Sequence, residues 1–243
     1  MTDPVPANSA PFPAPRGLFV LLLLYGGMAV LAGFLAFKQV SLGVVGPLGG
    51  ALAVEAGIFA FLLLVVISST IAQLYGERTA NRLVWWGFLP LALSIGLMTL
   101  VLALPPSADM LSGRPGANEA FGLVHGQFWR VVASGPVAYL VSLLLNVWIF
   151  TRLRGSARTG GEVRTLGLMA RGAIASALSQ AIDSVIFVTL AFYGEFPIGN
   201  LLIGQVLAKV VLSLVLVPIL ITLGVAFARA LDGKTGTAAP TLH

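Results

Sequence analysis

The chain has 243 residues, of which 58% are hydrophobic and only 9% charged. A soluble globular domain carries about 25% charged residues, so this composition disfavours a soluble enzyme, a secreted disulfide scaffold and a disordered chain. The formal net charge is +5 without a dense basic cluster, no cysteine is present to form a disulfide or a thiolate site, and His125 and His243 alone argue against a histidine-built metal site.

Residues 1–16 hold five prolines and little periodicity, and are expected to form a disordered tail. A membrane-spanning helix needs about 20 mostly apolar residues. Six stretches meet that length: Gly17–Phe37, Ala56–Leu74, Leu83–Leu104, Gly126–Phe150, Leu166–Tyr193 and Leu201–Ala228. The first is read as a retained helix rather than a signal peptide, because no cleavage site follows it. Val40–Val54 is apolar but glycine-rich with Pro47 inside, and reads as a re-entrant or interfacial segment. The runs are continuous rather than alternating, so helices are predicted and not barrel strands. The predicted fold is all-α: a polytopic membrane protein with a single six-helix domain over residues 17–229 and a tail from 230 to 243.

Lysine and arginine asymmetry sets the orientation. With the N-terminus inside, the cytoplasmic segments hold Arg16, Arg78, Arg82, Arg152, Arg154, Arg158, Arg164, Arg229 and Lys234; the outer loops hold Lys38 and Arg114. Nine cations against two predicts both termini in the cytoplasm. This asymmetry also accounts for the basic pI, so the expected surroundings are a lipid bilayer and not nucleic acid. No nucleotide-binding loop, metalloprotease helix, nucleophile elbow or paired intramembrane aspartate is present. Neither an enzyme activity nor a cofactor is expected.

Charged groups inside hydrocarbon cost at least about 2.5–3.5 kcal/mol each at mid-membrane and usually face a cavity or a partner. Arg130, Asp183 and Lys209 fall within spans; Arg171 and Glu55 lie nearer span ends. Asp183 is about 15 Å from the outer end of the fifth span and Lys209 about 12 Å from the outer start of the sixth. The two are level on antiparallel neighbours and suit either a packing pair or the wall of a solute cavity. Ser176, Gln180, Asp183, Ser184 and Phe187 recur at helical spacing and make one stripe on the fifth helix, which favours a cavity. Trp85, Trp86 and Trp148 suit an interfacial belt. Gly26, Gly27, Ala29, Ala32 and Gly33 suit close helix packing, within the chain or in a homodimer.

The sequence resembles the queuosine precursor transporter family, a vitamin-uptake-transporter-like family, from about Ala53 to Arg229. The resemblance is carried by the turn Leu74-Tyr75-Gly76-Glu77-Arg78, by Ala138-Tyr139 leading to Asn146, by Lys209 with Pro218, and above all by Arg171–Phe192, RGAIASALSQAIDSVIFVTLAF. Ser69, Gln73, Leu143 and Asn146 depart from the pattern, where the family carries polar or acidic side chains. The resemblance implies a six-helix transporter of the bacterial inner membrane that imports 7-deazaguanine bases such as 7-cyano-7-deazaguanine. The N1–H and 2-amino donors of such a base suit a carboxylate. Asp183 is the candidate, with Gln180, Ser176 and Asn146 along the polar edge, Lys209, Arg130 or Arg171 as cations and Phe187 over the ring. A substrate-capture subunit that depends on separate ATPase chains has the same composition, and so does a membrane protein in which Asp183–Lys209 only packs; both stay open.

Overall fold

The computed structural model describes residues 15–44, 51–155 and 165–233. Six long helices dominate: α1 (Arg16–Leu35), α2 (Gly57–Tyr75), α3 (Glu77–Ala103), α6 (Phe128–Gly155), α7 (Thr165–Phe192) and α8 (Gly199–Asp232). Two short helices, α4 (Ala108–Gly113) and α5 (Ala117–His125), lie between α3 and α6. Each predicted apolar stretch coincides with one long helix. By length and composition α1, α2, α3 and α8 can each cross a membrane, while the apolar run recognised in α7 is the shorter Ala177–Phe192.

The packing turns a soluble protein inside out. Trp85, Trp86, Leu89, Leu93 and Leu97 on α3 are more than half exposed, as are Val211, Leu214, Val215, Ile219 and Leu223 on α8. Glu55, Gln205, Asp183 and Lys209 are instead buried. An outer surface this apolar is stable against lipid and not against water, which fits a multi-pass membrane protein.

The expected all-α fold needs one amendment. The glycine-rich stretch after α1 forms an antiparallel hairpin of β1 (Gln39–Val44) and β2 (Ala51–Glu55), pairing Gln39 with Glu55 and Val44 with Ala51, with a bulge between Ser41 and Gly43. Glycines disfavour a helix, while alternating apolar residues such as Val40, Leu42 and Val44, or Leu52 and Val54, suit a pleated strand. Residues 39–44 and 51–55 are therefore extended, which average apolarity could not show. Backbone that is not helical is tolerated at membrane depth only when covered by protein or lining a cavity. Here β2 lies against α8, and Leu52 and Val54 are buried. Gly204 makes that approach possible: a Cβ at this position would collide with the Ala53 carbonyl.

The helices neighbour one another in the cycle α3, α2, α8, α7, α6 and back to α3, and α1 lies across α2, α3, α6 and α8. Gly76 joins α2 to α3 in a single residue at φ 92°, a left-handed conformation that favours glycine. The helix ends meet at Asp232. Its Oδ1 accepts the Gly17 N–H at 2.7 Å and its Oδ2 the Tyr75 hydroxyl at 2.6 Å, so one carboxylate ties α1, α2 and α8 together. α8 continues through Asp232, and its last turn is structural. The expected N-terminal tail and the cations Arg158, Arg164 and Lys234 lie outside the described residues.

The glycines give a direct test. Gly204→Ala is expected to lower stability by about 1–3 kcal/mol through overpacking. Gly26→Ala, where an added Cβ meets nothing within 4 Å, is expected to leave it unchanged. Thermal unfolding of the two variants in detergent compares them.

Candidate functional site

A cavity of about 180 Å³ lies among α1, α2, α3, α6, α7, α8 and the end of β2. Its walls are mostly apolar, and its α1 side is formed by Ala29, Ala32, Gly33 and Ala36. Of the small residues foreseen for close packing, Ala29, Ala32 and Gly33 line the cavity, with Gly33 against Val132, whereas a Cβ at Gly26 or Gly27 would meet nothing within 4 Å. Polarity is concentrated in a few lining groups: Glu55, Asp183 and Lys209, with Tyr25, Tyr139 and Ser68.

The anticipated pairing of α7 with α8 is present. Lys209 Nζ donates to Asp183 Oδ2 at 2.5 Å, and the residues are 4% and 6% exposed. Ser142 Oγ on α6 approaches Asp183 Oδ1 at 3.5 Å. The ammonium also lies 4.4 Å from the centre of the Phe61 ring and 5.8 Å from that of Phe187, within cation–π range. The ammonium therefore has both a carboxylate and aromatic faces around it.

Four residues along, α8 places Gln205, which is fully buried. Its Nε2 donates to Glu55 Oε1 at 2.6 Å and its Oε1 accepts the Glu55 N–H at 3.2 Å. This two-point contact seals β2 to α8. Glu55 Oε2 has no hydrogen-bond partner of ordinary geometry, although the Gly57 and Ile58 N–H groups at the start of α2 lie beside the carboxylate. A buried acceptor left without a partner costs about 1–3 kcal/mol. Lys209 acts electrostatically on Glu55 as well, so two buried carboxylates share one ammonium.

The other expected site residues are distributed differently. Phe187 lines the cavity with Asp183 and Lys209. Gln180 turns to α8, where its Oε1 accepts the Ser213 hydroxyl at 2.6 Å. Arg130 is the third residue of α6 and is not brought to Asp183. Its Nε and Nη2 donate to the carbonyls of Leu190 at 2.6 Å and Tyr193 at 2.7 Å, and Nη1 lies 3.7 Å from Glu195 Oε1. It thereby closes the C-terminus of α7, where a cation is favourable. Trp129 is exposed and does not line the cavity. The side chains of Asn146, Arg171 and Ser176 lie outside the described residues.

Sequence reasoning passed over Glu55 and Gln205. Glu55 directly precedes an apolar helix, where a carboxylate ordinarily reaches water, and Gln205 is one amide in a long apolar run. The hint was the glycine-rich stretch before Glu55, whose folding as a hairpin carries Glu55 inward.

The ion pair predicts a non-additive pattern. Asp183→Leu or Lys209→Met alone leaves a buried charge and is expected to cost about 3–5 kcal/mol, and the double substitution to recover most of it. Thermal unfolding of the four proteins in detergent measures the coupling.

Comparison with known proteins places these features. Residues 55–223 match the family described as "Putative vitamin uptake transporter", a match that begins at Glu55 and contains Asp183, Gln205 and Lys209. A protein of Bacillus subtilis (strain 168) named "Probable queuosine precursor transporter" is 29% identical over 147 residues, which are 59% of this chain and 60% of the relative's length. No solved structure matches the chain. Since the family match covers more than half of the sequence and takes in β2's last residue, the buried charge cluster and most of the helical bundle, the chain belongs to the vitamin uptake transporter family.

Proposed function

We propose that this protein imports queuosine precursors, 7-cyano-7-deazaguanine or related 7-deazaguanine bases, across the bacterial inner membrane. The observation that carries the reading is the buried Glu55–Asp183–Lys209 cluster lining a cavity inside a bundle whose exterior is apolar. Charges kept within a membrane bundle mark a solute pathway more often than packing. The name of the Bacillus subtilis relative supports the substrate class.

The cavity chemistry agrees with a small planar base. An engineered cavity of about 150 Å³ takes benzene, so a space of about 180 Å³ suits a ring system without an attached sugar. Phe61 and Phe187 offer aromatic faces, and Asp183 with Lys209 offers polar groups at the wall. The two carboxylates disfavour an anionic solute. The six long helices and the nine-to-two distribution of cations support six spans with both termini in the cytoplasm. On that topology the exposed Trp85, Trp86 and Trp148 sit toward the cytoplasmic interface.

Two experiments test this reading. The purified chain in proteoliposomes, without ATPase partners, is expected to show saturable uptake of radiolabelled 7-cyano-7-deazaguanine, reduced by excess 7-aminomethyl-7-deazaguanine; no uptake and no thermal stabilisation by either base would reject it. The native chain has no cysteine, so single cysteines report topology. Arg114→Cys is expected to react with a membrane-impermeant maleimide in intact cells, and Arg158→Cys only after permeabilisation.

A further inference from the structure

The sequence suggests Asp183 as the carboxylate that meets the donor edge of the base, but its Oδ2 is held by Lys209 at 2.5 Å. Glu55 Oε2, on a residue 4% exposed that lines the same cavity, has no hydrogen-bond partner of ordinary geometry, and only the Gly57 and Ile58 N–H groups at the start of α2 act on the carboxylate beside Gln205 and Lys209. Buried polar atoms are nearly always satisfied, and an orphan calls for a partner from outside the chain.

The surroundings of Oε2 show what partner fits. Gly57 lines the cavity beside it, and a Cβ there would lie 2.5 Å from Oε2 and 2.5 Å from the Ala32 carbonyl oxygen. Without a side chain at Gly57, the two acceptors can both close in on its Cα from the same side. The Ala32 carbonyl already accepts the Ala36 N–H at 3.1 Å, and a carbonyl has a second lone pair. Gln205 fixes the carboxylate from behind by donating to Oε1. Lys209 is bonded to Asp183 and acts on Glu55 as well, so with both carboxylates ionised the cluster carries one surplus negative charge. Two acceptors and surplus negative charge suit a ligand that presents two adjacent N–H donors, and repel a carboxylate or a phosphate.

We infer that Glu55 reads the substrate: Oε2 and the Ala32 carbonyl accept two neighbouring N–H donors on one edge of a heterocycle, the pattern of a ring N–H beside an exocyclic amino group. Gln205 is a positioning residue that aims Oε2, and Asp183–Lys209 forms the adjoining wall. The inference rests on the transport reading above and assigns the residue that selects the base.

The test compares two ligands on two proteins. In Glu55→Gln, Gln205 retains an acceptor at the Oε1 position, so the new amide presents its NH₂ group where Oε2 was and opposes a ligand donor. By titration calorimetry, the wild type is expected to bind 7-deazaguanine about 10- to 100-fold more tightly than 7-deazahypoxanthine, which lacks the 2-amino group. E55Q is expected to lose that preference and to bind 7-deazaguanine weakly. Undiminished preference in E55Q overturns the inference and leaves the transport reading standing, and it is also the result expected if Glu55 only carries a proton, since glutamine mimics the protonated acid. Wild-type protein that binds neither base overturns both. Should E55Q not fold, Glu55→Asp, which keeps the charge but draws the acceptor back, takes its place: loss of the preference in E55D upholds the inference, and an undiminished preference overturns it.

Discussion

The buried ion pair between Asp183 and Lys209 constrains the rest of the structure. Removing a carboxylate and an ammonium from water is expensive, and only close geometry with further polar contacts offsets it. The chain brings the two to 2.5 Å and places the Phe61 ring against the ammonium and the Ser142 hydroxyl near the carboxylate. Those partners come from α2 and α6, so one pair on α7 and α8 recruits two further helices. The cavity exists because these helices converge on polar groups that cannot face lipid.

The hairpin is the second determinant. Without it Glu55 would be an ordinary carboxylate at the mouth of α2. Folded against α8, β2 carries Glu55 to Gln205, four residues from Lys209, and closes one end of the cavity. Glycine makes both close approaches possible, at Gly204 under the Ala53 carbonyl and at Gly57 beside Glu55 Oε2. Elsewhere charge fastens helix ends: Asp232 joins α1, α2 and α8, and Arg130 closes α7. Among the described residues, Asp232 and Arg130 thus fasten helix ends, while Glu55, Asp183 and Lys209 face the interior.

Much of this was legible in the residues. Continuous apolar runs located all six long helices to within a few residues, apart from the N-terminal extension of α3, where Glu77 and Arg78 begin the helix although they are polar. The level placement of Asp183 and Lys209 followed from helical rise alone. The helical stripe on α7 was less informative, because Gln180 and Asp183 share a helix face yet meet different partners on α8. Arg130 was read as lying within the fourth span, and α6 begins two residues before it.

By itself the sequence determined that the exterior is apolar, that the chain is a helical membrane protein, and that its few buried charges are the places to seek function. Those properties depend on composition and on the regular rise of a helix, which are local. The tertiary structure alone decided that Val40–Val54 is largely a hairpin, that Asp183 is occupied by Lys209, and that the acceptor without a partner of ordinary geometry is Glu55 Oε2. Each of these depends on which surfaces meet across long separations, such as Glu55 with Gln205, 150 residues apart, and no local pattern encodes such a meeting.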